Sequence, residues 1–183
     1  VQREAWRLRN ERELMADVED ALKDQSLRIK QLVDGLPAEN TPHAKAKRNE
    51  MLTEAKLLVA YCKRKGALVV SEKSDPEFDR DRLQLVFNET ASDLRSIGVD
   101  CAAFVQTEHA LDACVVSVLY DCLYDLATAA SAADDAVLML NVHEHEDNAE
   151  LRAMFTSSAI ESAHMVETLA KLRANLVHFG KFF

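Results

Sequence analysis

Two aspartates, Asp121 and Asp125, are the residues in the second half of the chain whose type and spacing best suit chemistry. Residues four apart share a helical face, so the two carboxylates can hold a common Mg²⁺, an ion that prefers oxygen ligands. Tyr120 and Tyr124 repeat this spacing and can rim a pocket beside them. All four residues also fit the partly solvated side of an amphipathic helix. The spacing therefore permits a ligand site, while the simpler interpretation is an ordinary helix surface.

His143 and His145 form a second candidate, because they alternate in a strand-like run and so share one face. The sequence supplies no third ligand beside them, and we favour a solvated strand face over a metal site. The chain has four cysteines, none with a CxxC or Cys/His spacing: Cys62, Cys101, Cys114 and Cys122. We expect these to be buried thiols in a reducing cytoplasm, and we predict no metal site.

Two long helices are predicted to precede these residues and to form a first domain, 1–65. Helix one is expected over 3–34, ended by Gly35, and helix two begins at Pro42 with Thr41 as its N-cap. Helix two is predicted to end at the basic cluster before Gly66. Helix one carries a heptad-like apolar stripe: Leu8, Met15, Val18, Leu22, Ile29, Leu32 and Leu36. One hairpin cannot bury both helices' apolar faces, so we expect two chains to pair as a four-helix bundle.

The periodicity changes after Gly66, which indicates a second domain over 66–183. The apolar run 67–70 favours a buried strand, and a third helix is predicted from Ser74–Glu77 to Gly98. The elements expected beyond it are a strand over 99–105, a helix over 108–130, a hairpin over 136–156 and a helix over 158–178. This order predicts an α+β chain whose second domain is an α/β sandwich with helices on one face.

Charge is divided unevenly along the chain, whose formal net charge is −9. Residues 1–73 hold 15 Lys and Arg against 12 Asp and Glu, whereas residues 74–183 hold 7 against 19. The acidic second half argues against nucleic-acid binding, which depends on phosphate neutralisation. No run approaches the roughly 18 apolar residues that cross a membrane, so we expect a cytoplasmic protein. The start on Val1 suggests a fragment, for which the intracellular part of a membrane-anchored sensor is one origin, and the C-terminal Phe182–Phe183 suggest a strand cut short.

Two runs carry a resemblance to a known family. Ala60–Val69 reads AYCKRKGALV, which is similar to the Tyr-x-Lys-Arg-Arg-x-Asn-Leu stretch in one subgroup of bacterial sensor histidine kinases. Ser117–Ala130 reads SVLYDCLYDLATAA, which resembles the Asn-box helix of their GHKL-type ATPase domain. The resemblance implies a dimerisation hairpin followed by an ATP-binding domain, with a response regulator as a partner.

The chain departs from this family where the family does its chemistry. Glu19, followed by Asp20, fills the place of the phosphoacceptor histidine, and a carboxylate cannot replace the imidazole as the stable phosphoryl carrier. Asp121 and Asp125 stand where the family has asparagines, and Asn88 on the preceding helix is a further candidate for nucleotide contact. The four glycines form no DxG or GxG pattern, so backbone cannot approach phosphate closely.

The favoured hypothesis is therefore a dimeric signalling module that resembles a sensor histidine kinase core and lacks its phosphoacceptor. No cofactor is expected, since the acidic half and the missing glycines disfavour ATP. The alternatives are an active kinase that binds ATP with Mg²⁺ and phosphorylates a partner, and a non-enzymatic dimeric scaffold for protein interaction. An open polar cleft between the helices that bear Asn88 and Asp125 would favour the kinase.

Overall fold

A pair of long helices, α1 (Gln2–Asp34) and α2 (Pro42–Ser74), opens the chain. The protein is described by a computed structural model, which covers residues 2–133, 135–145 and 148–176. The chain divides into two units, Val1–Pro76 and Glu77–Phe183. The boundary expected after residue 65 lies inside α2.

The predicted turn between the two helices is confirmed. Gly35 follows α1, and Thr41 is the N-cap of α2, where its hydroxyl accepts a hydrogen bond from the Ala44 N–H at 3.1 Å. Pro42 occupies the first turn, where a missing N–H costs nothing. Arg48 reaches back and donates to the Pro37 carbonyl, which holds the loop against α2. Local cap chemistry therefore fixes this end of the hairpin.

The predicted end of helix two was wrong, and so was the strand over 67–70. The helix continues through Gly66 to Ser74, and Leu68 and Val69 are buried helical residues. Gly66 lies inside the helix and faces α1: a Cβ built there would lie 3.6 Å from the Leu22 side chain. A short apolar run is compatible with a strand or a helix, and this one continues the helix that precedes it.

The contacts between α1 and α2 define an antiparallel register. The Arg28 guanidinium pairs with the Glu54 carboxylate at 2.7 Å, and Lys73 pairs with Asp17 near the open end. Both pairs are exposed, so each contributes little stability by itself. The buried apolar residues of the first unit supply most of it: Leu32, Ala44, Ala55, Leu57, Leu58, Tyr61, Leu68 and Val69.

The second unit combines short strands with four helices among its described residues. Its elements are β1 (Glu77–Phe78), α3 (Arg80–Arg95), β2 (Asp100–Gln106), β3 (Leu111–Asp112), α4 (Ala113–Ala130), β4 (Val137–His145), β5 (Asn148–Phe155), α5 (Ser157–Ile160) and α6 (Ala163–Leu176). The structure confirms the α+β class.

Within the described part of the chain, the main sheet has the order β2-β4-β5. β2 runs parallel to β4, and β4 pairs antiparallel with β5, which confirms the predicted hairpin. Its turn residues 146 and 147 lie outside the described residues. On one face of the sheet, alternate residues of the central strand β4 are fully buried: Leu138, Leu140 and Val142. The alternation places the other side chains of these strands on the opposite face.

Three predicted helix boundaries in this unit were wrong. α3 begins at Arg80, not near Ser74, because Glu77–Phe78 pair with Leu111–Asp112 as a short antiparallel ladder. The same ladder delays α4 until Ala113. The predicted final helix is interrupted at Ser162, whose hydroxyl accepts from the Met165 N–H and caps α6. Residues 177 and 178 of that prediction lie outside the described residues.

Candidate functional site

The predicted phosphoacceptor position lies on the solvent-exposed surface of α1. Glu19 and Asp20 are both exposed. Glu19 lines a shallow groove along α1 together with residues one, two and three turns before it: Leu8, Glu11, Arg12, Met15 and Ala16. A glutamate here supplies a solvated carboxylate and no imidazole nitrogen, so this position holds charge beside apolar side chains.

Six exposed apolar side chains, here called the side stripe, flank the contact between the two helices. They are Leu8, Met15 and Val33 on α1, and Leu52, Val59 and Val70 on α2. At about 100° per residue, the three members on each helix point within about 20° of one another. On both helices, the side-stripe residues lie further round the helix axis, in the same rotational direction, than the residues that contact the other helix. Because the helices are antiparallel, equal rotations bring both sets to one side of the hairpin.

The register also aligns the side stripe along the hairpin. Gly66 lies opposite Val18 and Leu22, so one turn further along α2 places Val70 at the level of Met15. At the other end, the Met51 side chain lies beside Gly35, which places Leu52 at the level of Val33. Met15 and Val59 keep 63% and 54% of their surface exposed. The hairpin therefore presents two level apolar pairs, Met15 with Val70 and Val33 with Leu52, along one exposed side.

The two α4 aspartates lie on the helix surface near α6. Burial raises the pKa of Asp125, the Lys171 ammonium on α6 opposes this rise, and the Asp121 carboxylate adds to it. Cys122 lies between them in sequence, and burial raises the pKa of its thiol to about 11. Asp121 and Asp125 are thus close enough to interact, and Lys171 supplies a compensating charge to Asp125.

Asn88, the third candidate for nucleotide contact, lies on a different helix from the two aspartates. It is exposed on α3, where its side-chain oxygen accepts a hydrogen bond from Gln84 at 2.8 Å. Gln84 in turn donates to the Ala103 carbonyl and accepts from the Val105 N–H, both at 3.0 Å, so it covers the backbone edge of β2. α3 thus packs along β2, whereas α4 packs on α6. These separate packing partners give Asn88 and Asp125 different surroundings.

The histidine pair is only partly described. His143 is half-buried on β4, and the side chain of His145 lies outside the described residues. Among the described residues, no group of three His, Cys, Asp or Glu side chains could hold a metal ion.

A carboxylate that the sequence did not single out, Glu144, anchors the loop between β2 and β3. It accepts hydrogen bonds from the N–H groups of Glu108 and His109, both at 2.8 Å, and lies 2.8 Å from the His109 ring. These bonds, first of all the one from the His109 backbone, lower the pKa of Glu144. The partners are 35 residues apart, and no local pattern marks such an anchor.

Comparison with known proteins gives no relative from which a function could be transferred. No protein-family model matches the chain, and a search of curated proteins finds no match. Among the described residues one helix, α4, is long and apolar enough to cross a membrane, and 56% of it is buried inside the fold. A buried core helix of a globular domain has the same properties.

Proposed function

We propose that this chain is a dimeric signal-transduction module whose helical hairpin pairs with the hairpin of a second copy. The side stripe is the observation that carries the proposal. Apolar residues level with one another on both helices are the requirement of a four-helix bundle, in which each hairpin covers the other. Burying this surface stabilises the pair at roughly 25 cal/mol per Å² of apolar area.

The proposed module resembles a sensor histidine kinase core in the order of its parts and lacks the phosphotransfer chemistry. Glu19, which the resemblance aligns with the phosphoacceptor histidine of that family, is exposed on α1. The α4 aspartates repel phosphate, and the nearby Lys171 is the cation that affects Asp125. We therefore propose a cytoplasmic role in which the hairpin relays a conformational signal to a response regulator or another signalling protein, without ATP.

The dimer is tested by sedimentation equilibrium of the full chain and of Met15→Glu and Val59→Glu. Each substitution places a charge in the proposed contact, and we expect each to raise the dimer Kd at least about tenfold, the equivalent of ~1.4 kcal/mol. Leu27→Glu is the matched control, because Leu27 is an exposed α1 residue that points away from the side stripe. A monomeric parent chain, or equal weakening by Leu27→Glu, would contradict the proposal.

The absence of phosphotransfer is tested separately. The full chain is incubated with radiolabelled ATP and Mg²⁺, and binding is measured by isothermal titration. We expect neither label on the protein nor binding in the micromolar range. Labelling of the chain, or micromolar binding of ATP, would support the active-kinase alternative instead.

A further inference from the structure

The outward face of the main sheet carries a continuous apolar area, here called the outer sheet patch. Its members are Ala102 and Phe104 on β2, Val137 and Met139 on β4, and Met154 on β5. The register places Ala102 opposite Met139 and Met139 opposite Met154, so one row across all three strands is apolar. Phe104 and Val137 extend it on either side of that row. Phe104 and Met154 keep 51% and 55% of their surface exposed.

This apolar face is unusual for a sheet whose opposite face is already buried. Leu138, Leu140 and Val142 on β4 are completely inaccessible, so the core of the unit does not need the outward residues. A sheet with one solvated face ordinarily alternates apolar and polar residues. Contiguous exposed apolar residues with a polar rim mark interaction sites.

The dimensions of the patch suit one helix. Three strands about 4.8 Å apart give a width of about 10 Å, close to the diameter of an α-helix with its side chains. From Val137 to the level of Phe104 the patch spans four residues of strand, about 13 Å, which matches apolar anchors at i, i+3 or i+4, and i+7 of a helix. Met139 and Met154 can adapt to different incoming side chains.

The charges around the outer sheet patch determine which kind of helix it would bind. Asp100 and Asp135 lie at the Val137 end of the patch, and Glu150 lies beyond Arg152, with which it forms an ion pair at 2.9 Å. The sequence of the second unit, residues 77–183, holds 7 Lys and Arg against 18 Asp and Glu. Two such acidic units repel one another, and so do this unit and an anionic membrane or nucleic acid. We infer that the outer sheet patch binds a basic amphipathic helix of a partner protein.

The test uses a synthetic probe on the full-length chain. An 18-residue fluorescein-labelled peptide with Leu at i, i+3, i+4 and i+7 and Lys elsewhere is titrated, and anisotropy is measured. The matched peptides replace Lys by Glu, or scramble the same Leu/Lys composition so that no apolar face remains. We expect the amphipathic Leu/Lys peptide alone to bind with micromolar affinity, and added salt to weaken its binding.

Chain variants then locate the site. Met139→Gln and Met154→Gln are expected to weaken peptide binding at least about fivefold each, and Asp100→Lys to weaken it as well. Leu85→Gln and Val166→Gln remove exposed apolar residues of α3 and α6, and Met15→Gln removes one from the side stripe; we expect all three to leave binding unchanged. Circular dichroism confirms that each variant is folded.

Several results would overturn the inference. Equal binding of the Leu/Glu peptide would remove the role of charge, and equal loss in Leu85→Gln or Met15→Gln would remove the role of the patch. Chain self-association that Met139→Gln abolishes would assign the face to a second copy. Binding to phosphatidylserine vesicles that Met154→Gln abolishes would assign it to a membrane. The inference does not rest on the hairpin dimer, because no residue of the outer sheet patch belongs to the side stripe, and peptide binding by Met15→Glu is expected to match that of the parent chain.

Discussion

The hairpin and the second unit differ in how much buried apolar core each contains. In the second unit Leu83, Phe87 and Leu123 are completely inaccessible, and one face of the sheet is closed by the same core. In the hairpin the side stripe stays exposed although its neighbours are buried. A unit with a closed core folds with its own contacts, whereas a helix pair with an exposed stripe gains stability from a partner. We therefore expect the two regions to respond differently to dilution.

The first prediction tests this contrast with a core substitution. Leu140→Ala in β4 removes a side chain with no exposed surface, and we expect a loss of about 2–5 kcal/mol in the free energy of unfolding of the second unit. The loss is expected to be independent of protein concentration, whereas the hairpin transition moves to lower urea concentration on dilution. Urea denaturation followed by circular dichroism at two protein concentrations measures both.

The control for that substitution is Leu85→Ala, because Leu85 is an exposed apolar residue of α3. We expect its effect to stay within about 0.5 kcal/mol. If the second unit's transition also moved on dilution, its core would not be self-contained and the contrast between the regions would fail.

The sequence predicted elements where local chemistry decides them, and it failed where distant pairing does. Gly35, Thr41 and Pro42 are cap residues whose preferences arise within one turn, and they marked the hairpin turn correctly. Gly66 misled the prediction because, in sequence, a glycine inside a helix has the same appearance as one that ends a helix. The two-residue ladder of Glu77–Phe78 depends on partners 35 and 33 positions away, and no local signal predicts it.

The same distinction applies to the candidate sites. The spacing of Asp121 and Asp125 predicted their shared surface, while the charge of Lys171 near them depends on helix packing. The sequence does contain a signal for the outer sheet patch. Val137–Leu140 is apolar at every position, although a strand with one exposed face should alternate apolar and polar residues. Its full extent requires the strand register, which joins Met154 to Met139.

The second prediction compares one glycine from each region, for which the same substitution has opposite effects. Gly66→Ala is expected to stabilise the hairpin by about 0.5–1 kcal/mol, because alanine favours a helix interior and its Cβ would meet Leu22 at an ordinary contact distance of 3.6 Å. Gly98→Ala is expected to destabilise the second unit by about 1–2 kcal/mol, because Gly98 has a φ of 96°. Urea denaturation of both variants measures whether each substitution raises or lowers the free energy of unfolding.

A rescue variant separates backbone strain from packing in that comparison. Nothing lies within 4 Å of a Cβ built on Gly98, so the expected cost is conformational. Gly98→Asn should therefore lose less stability than Gly98→Ala, since asparagine adopts positive φ more readily. Equal losses in the two variants would contradict this explanation.

The third prediction, which has the smallest expected effect, compares a charged hydrogen-bond acceptor, Glu144, with a neutral one, Thr41, as the pH falls. The folded-state pKa of Glu144 is lowered, so its contribution is present above the ordinary glutamate pKa of about 4.3 and is lost as pH falls through the lowered value. Glu144→Gln should therefore destabilise the second unit at pH 7, and its difference from the parent chain should shrink below about pH 4.

Thr41→Ala supplies the matched comparison in the hairpin, because a threonine hydroxyl does not titrate in this range. Its expected cost of about 1 kcal/mol should be the same at pH 7 and at about pH 3. Urea denaturation of both variants at the two pH values measures the contrast. A cost of Glu144→Gln that does not change with pH would contradict this explanation, because the ionised carboxylate would then hold the loop after β2 no better than the protonated one.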